Sequence, residues 1–155
     1  MVMAEERRRE IEALMQRYPE ARGALLPALR LVQDDFGFIS PELAREIADL
    51  FGIHPVEVME LVSFYNMLYD APQGRHHVYV CTNLSCSLRG ARPLLREIEA
   101  HLCIEAGATT ADGRITLGHE ECLGACAGAP VMRVDDVCHE NLDAARARQI
   151  VDGLE

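Results

Sequence analysis

Apolar positions recur at helical spacing through the first half of the chain and at strand spacing only after it. Ile11, Leu14, Met15 and Tyr18 share one helical face, which predicts a helix over residues 5–18 that Pro19 ends. Leu25, Leu26, Leu29, Val32 and Phe36 predict a second helix over 22–36, with Pro27 near enough its start to be tolerated, and Gly37 interrupts the pattern. The third helix has the clearest start. Ser40 is an N-cap, Pro41 takes the first helical position, Glu42 favours the positive end of the dipole, and Gly52 closes the stripe of Leu43, Ile47, Leu50 and Phe51. A fourth helix begins near His54-Pro55 and carries Val58, Met59, Leu61, Val62 and Phe64.

The character changes at the turn "DAPQGRH", residues 70–76. "HHVYVCT" alternates as a strand does, and residues 90–102 return to helical spacing through Leu94, Leu95, Ile98 and Leu102. "ADGRITLG" predicts a turn and a short strand, "APVMRVDD" a second strand, "VCHEN" a last one, and "LDAARARQIVDGL" a closing helix. The fold class is therefore α+β, with a helical N-terminal domain over 1–72 and a mixed domain over 73–155. Small domains are marginal on buried area, so the two are expected to pack together or the helical one to rest on another protein. There is no internal repeat and no low-complexity segment.

Composition narrows the function. The 155 residues suit one ordinary domain or two small ones, and 49% of them are apolar, enough for a core. The 25 acidic residues against 15 basic ones give a net charge of −10, and every basic residue other than histidine is arginine. That balance excludes nucleic acid as the main partner. The one basic run, Arg7-Arg8-Arg9, is flanked by acids and reads as a solvated helix face. The N-terminus lacks a secretory pattern and no apolar run is long enough to span a membrane, so no direct membrane insertion and a reducing, cytoplasmic setting are expected. Six cysteines in such a setting are not expected to form a disulfide framework.

Four of those cysteines form two close pairs, Cys81 with Cys86 and Cys122 with Cys126. Each pair lies where an extended segment runs into a loop containing Gly or Ser, a geometry that can aim four sulfurs at one place. Structural zinc, a [2Fe–2S] cluster and disulfides are all candidate occupants. Zinc loops commonly hold two residues between cysteines, and the wider spacing here suits an object with two metal centres. Glycine and backbone amides near Gly124 and Gly128 allow close approach to sulfur, although each glycine also suits a simple turn. Cys103, on an apolar helical stripe, and Cys138 are expected to be small buried hydrophobes. His119 lies close to Cys122 and can tune a bound cluster by hydrogen bonding or protonation; two-histidine ligation of the Rieske kind is disfavoured with four thiols available. No nucleotide-binding glycine loop, nucleophile elbow or Cys-x-x-Cys motif is present.

Cys-x4-Cys followed by Cys-x3-Cys, with "VMELVSFYNML", "GRHHVYVCTNLSC" and "ECLGACAGAPVM", resembles the thioredoxin-like [2Fe–2S] ferredoxins. Among them the phrases are similar to the member found in bacterial NADH–quinone oxidoreductase, complex I. The resemblance covers nearly the whole chain. It implies a thioredoxin-like ferredoxin domain after a helical bundle and cluster ligands at Cys81, Cys86, Cys122 and Cys126. It also implies a partner flavoprotein subunit that carries FMN and oxidises NADH, with further iron–sulfur subunits beyond it. The chain itself is then a non-catalytic electron-transfer subunit, on the peripheral arm at the cytoplasmic side of the membrane. Relatives serve NAD(P)-linked hydrogenases and formate dehydrogenases, and the motifs do not separate these hosts. A zinc-stapled interaction module and a free ferredoxin remain the readings from other classes.

Overall fold

The computed structural model describes residues 2–155, and the chain divides into two compact units, Met1–Pro72 and Gln73–Glu155.

The first unit holds four helices: α1 (Glu5–Met15), α2 (Leu25–Phe36), α3 (Pro41–Phe51) and α4 (Pro55–Phe64). Helix α1 stops three residues before Tyr18. The chain then tightens into turns, with the Arg17 amide on the Leu14 carbonyl at 3.0 Å, and Ala21–Ala24 forms a 3-10 turn before α2. Pro19 explains the early stop, because proline disfavours helical backbone in the residue before it. Helices α3 and α4 begin on strong caps. The Ser40 hydroxyl accepts the Leu43 amide at 3.3 Å, and Gly52 closes α3 at φ +64°. His54 accepts the Val56 amide at 3.3 Å while Glu57 reaches back to the His54 amide at 3.1 Å.

Ile11, Leu25, Leu29, Val32, Leu43, Ile47 and Val58 are fully buried and form this unit's core. One buried polar side chain crosses it. The Gln33 amide donates to the Met67 carbonyl at 2.9 Å and accepts the Tyr69 amide at 2.7 Å, which ties α2 to the segment after α4. The arginine run is not simply a solvated face. Arg7 grips Asp35 through two nitrogens, each at 2.7 Å, and Arg8 pairs with Glu46, so two of the three arginines link α1 to its neighbours. Only Arg9, paired to Glu5 at 3.6 Å, fits the expected solvated role.

The second unit is a four-stranded mixed sheet with helices: β1 (His76–Cys81), α5 (Leu84–Leu88), α6 (Ala91–Leu102), β2 (Ile115–Glu120), β3 (Met132–Val134), β4 (Val137–His139) and α7 (Ala144–Asp152). The strand order is β2-β1-β3-β4. Strands β1 and β2 run parallel, in register from His76 opposite Ile115 to Cys81 opposite Glu120. A parallel pair needs a crossover, and α5 and α6 supply it. Strand β3 lies antiparallel to β1 with Val80 opposite Met132, and β4 returns beside β3. Val78, Val80, Ile115, Leu117 and Met132 are fully buried, with Ile98 of α6 and Ala147 and Val151 of α7 in the same cluster.

Two cysteine expectations fail. Cys103 is exposed, because α6 ends at Leu102 and Cys103 takes the left-handed capping position at φ +55°, off the apolar stripe. Cys138 is exposed in the short edge strand β4, opposite Arg133.

A charged clasp joins β1 to the turn after β3. His76 Nδ1 lies 2.8 Å from Asp135 Oδ2, His76 Nε2 lies 3.0 Å from the Glu155 carbonyl, and Asp135 Oδ1 accepts the His77 amide at 2.8 Å. The hydrogen bond to Asp135, then that to Glu155, raises the His76 pKa. Burial pushes the Asp135 carboxyl up, but its bonds to His76 and to the His77 amide outweigh that and hold it low. A raised folded-state pKa gives stability that is fully present below the unfolded value of about 6.5 and is lost as pH rises through the folded value. His77 slopes the other way, since burial lowers its pKa. The stability of wild type over His76→Gln is therefore expected to shrink as pH rises from about 6 to about 8. Thermal unfolding across that range checks it; a difference constant with pH contradicts it.

Candidate metal centre

The parallel pairing decides where the two cysteine loops emerge. Strands β1 and β2 end together at Cys81 and Glu120, and the Thr82 amide extends the ladder to the Glu120 carbonyl at 2.9 Å. The loop after β1 carries Cys81 and Cys86, and the loop after β2 carries Cys122 and Cys126. Both leave from the same edge of the sheet, the carboxyl ends of its parallel strands.

The first loop is not irregular, as its sequence reads, but folds into α5. The Asn83 side chain caps that helix by accepting the Leu84 amide at 2.6 Å, and the Ser87 hydroxyl donates to the Thr82 carbonyl at 2.7 Å. One turn of helix carries Cys86 inward, so Cys81 and Cys86 are both buried. The second loop turns at Gly124, whose φ of +77° suits glycine, and its amide points at Cys122 Sγ at 3.4 Å. Gly124 thus serves both a turn and a sulfur. A 3-10 turn, Cys126–Gly128, then leads to the cis Ala129–Pro130 peptide and to Val131, whose carbonyl accepts the Cys81 amide at 3.0 Å. Gly128 is buried under Glu140, whose side chain fills the space a Cβ would need. Cys122 and Cys126 are exposed.

Thiols from both loops act on one another. Burial pushes the Cys86 thiol up to about 11; the hydrogen-bonded Cys81 thiol and the charge of Cys126 push the same way, while the Val131 amide opposes them. Cys81, Cys86 and Cys126 are therefore within electrostatic reach. Cys122 joins the same edge with the Gly124 amide on its sulfur. All six cysteines are free thiols, and Cys103 and Cys138 lie outside this group. Among the described residues no three His, Cys, Asp or Glu side chains gather around a point that would hold one metal ion. A two-iron cluster asks less of any point, since each iron takes only two protein thiolates. Two thiols from each of two loops, with main-chain amides aimed at sulfur, fit that requirement.

The model of the thioredoxin-like [2Fe–2S] ferredoxins matches residues 11–155. The chain belongs to that family. Its cofactor is a [2Fe–2S] cluster, which removes the zinc and disulfide readings. The chain is 45% identical over 147 residues to a subunit of NADH-quinone oxidoreductase from Rhizobium meliloti, covering 95% of this chain and 88% of that one. It is 40% identical over 147 residues to NADH-quinone oxidoreductase subunit 2 of Thermus thermophilus, covering 93% of this chain and 81% of that one. Among solved structures, an NAD+-reducing [NiFe]-hydrogenase in the air-oxidized state superposes with a TM-score of 0.71 at 25% identity. That match covers 83% of this chain and 22% of the hydrogenase chain.

Two features of the site escape sequence reasoning. Helix α5 is too short to show a period, and Asn83 before Leu84 is its one signal. Beside the cysteine edge lies a cavity lined by Thr82, Arg92, Leu95, Arg96, His119 and Glu121. Its two arginines come from α6 and its histidine from β2, a union that no local pattern announces.

Proposed function

We propose that this chain is the [2Fe–2S] electron-transfer subunit of an NADH–quinone oxidoreductase, and that Cys81, Cys86, Cys122 and Cys126 hold its cluster. One observation carries the reading: 45% identity, over 95% of this chain and 88% of the relative, to a protein named as a subunit of that enzyme. When bound, the cluster supplies a centre that takes up and releases one electron at a time.

The chain's own residues do the rest. The paired ends of β1 and β2 fix the spacing between the loops, and α5 brings Cys86 under the edge. Loading requires the thiols to shed their protons, and the raised Cys86 makes that release strongly pH-dependent. The Val131 and Gly124 amides then face sulfurs that carry excess negative charge, which stabilises it and sets the redox potential in part. The partner in this reading is a flavoprotein subunit holding FMN and oxidising NADH, with further iron–sulfur subunits beyond it. In this reading the chain sits on the peripheral arm at the cytoplasmic side; no described helix is long and apolar enough to cross a membrane. The hydrogenase similarity supports a second host, in which the same subunit serves an NAD-linked hydrogenase.

The test is isolation of the tagged chain from its own cells. An FMN-containing assembly is expected, in which NADH reduces the iron–sulfur signal of this chain, whereas NADH leaves the isolated chain oxidised. An assembly without flavin contradicts the reading, and stoichiometric nickel in it selects the hydrogenase host.

A further inference from the structure

The cavity beside the cysteine edge differs in charge from the rest of the molecule. The chain carries a net −10, yet this recess presents two guanidinium groups and an imidazole against one carboxylate, Glu121. Arg92 and Arg96 are four residues apart on α6, so they project from one face of the helix. Like charges at that spacing repel unless something neutralises them. Among the lining residues only Glu121 can do so, one carboxylate against two guanidiniums. Neither arginine takes part in an ion pair or a side-chain hydrogen bond. The acids of α6 are engaged elsewhere: Glu97 pairs with Arg148 at 3.2 Å, and Glu99, one turn beyond Arg96, accepts the Ala106 amide at 2.9 Å.

Size and position add to charge. The cavity is about 250 Å3, below the range of about 300–1,000 Å3 typical of organic-ligand pockets. It has room for a phosphate-sized ion with some of its waters. Paired guanidiniums suit an oxyanion, because each offers a planar fork of donors that matches two oxygens at once. The walls of the cavity also touch the metal centre through the chain. Thr82 directly follows Cys81, Glu121 directly precedes Cys122, and bonded neighbours have Cα atoms about 3.8 Å apart.

We propose that Arg92 and Arg96, with His119, form a binding site for a small free oxyanion of the phosphate class, and that its occupancy is linked to the redox state of the cluster beside it. The linkage rests on the ligand set proposed above; the site does not. Reduction adds one negative charge to the cluster. An anion in the cavity therefore binds the oxidised form more tightly, and by reciprocity it lowers the reduction potential. The expected effect is about a threefold difference in affinity, or about 28 mV at about 59 mV per tenfold.

Two readouts on the full-length purified protein test it. The first is 31P line broadening of inorganic phosphate at constant ionic strength. Saturable broadening is expected with wild type, lost in Arg92→Ala/Arg96→Ala and kept in Arg9→Ala/Arg17→Ala, which removes the same charge elsewhere. Glu121→Gln is expected to tighten binding. Broadening that does not saturate, or that survives in Arg92→Ala/Arg96→Ala, overturns the site. The second readout is the midpoint potential of the holoprotein, which is expected to fall as phosphate replaces chloride in wild type and to stay level in Arg92→Ala/Arg96→Ala. Phosphate binding without a change in potential overturns the linkage alone. Saturable phosphate binding together with a cluster that survives Cys122→Ala supports the site while sinking the proposed ligand set.

Discussion

Replacing Cys126 with alanine is expected to strip the cluster from the chain. Each iron takes two protein thiolates, so the change leaves one iron with a single anchor. Loss of a mere outer-shell partner lowers metal affinity by about 10–100-fold, and loss of a direct ligand is expected to exceed that. The same result is expected for Cys81, Cys86 and Cys122. Cys103→Ala and Cys138→Ala are the controls, because Cys103 caps α6 and Cys138 sits in β4, outside the two loops that carry the other four cysteines. Visible absorbance and iron content per chain read the outcome. A cluster that survives Cys122→Ala, or that disappears in Cys103→Ala, contradicts the ligand set.

Leu117→Ala is expected to damage the fold of the second unit severely. Leu117 is fully buried in the middle of β2, opposite Val78 of β1 and within the cluster that includes Ile98 and Val151. Truncating such a leucine removes its transfer free energy and leaves a cavity, at a cost of about 2–5 kcal/mol. In a unit of this size that lowers the melting temperature by roughly 10–30 °C. The metal centre is expected to suffer with it, because β2 carries the loop that bears Cys122 and Cys126. Leu88→Ala is the comparison: Leu88 is 78% exposed, and its loss is expected to change stability by no more than about 0.5 kcal/mol. Thermal unfolding of the two variants separates them, and equal shifts contradict the placement of the core.

The helical unit is largely legible because its signals are local. Ser40-Pro41-Glu42 and His54-Pro55 mark helix starts, and the structure places α3 and α4 at those points. The strands are legible as extended segments but run shorter than the alternation indicates: β3 is three residues and β4 another three. What brings the cysteines together is not local. The register of Cys81 opposite Glu120 follows from two strands separated by two helices, and a linear reading shows only that each pair sits near a strand end. Burial of Cys86 depends on α5, a helix of five residues with too few turns to show a period. Cys103 departs from its expected burial for a similar reason. A left-handed cap moves one residue off its stripe, and without the glycine that usually marks such a cap the sequence carries no warning. Arg92, Arg96 and His119 form no basic run, because their cluster is assembled from a helix face and a neighbouring strand. The Gln33 bridge is of the same kind, with partners 34 and 36 residues away.

The chain's role as an electron carrier depends on what the two loops hold. The direct measurement is analysis of anaerobically purified protein for iron, acid-labile sulfide and zinc, followed by electron paramagnetic resonance after dithionite reduction. Two irons and two sulfides per chain are expected, as a [2Fe–2S] cluster requires, with one unpaired electron in the reduced state. Stoichiometric zinc without sulfide, and no signal on reduction, would contradict it.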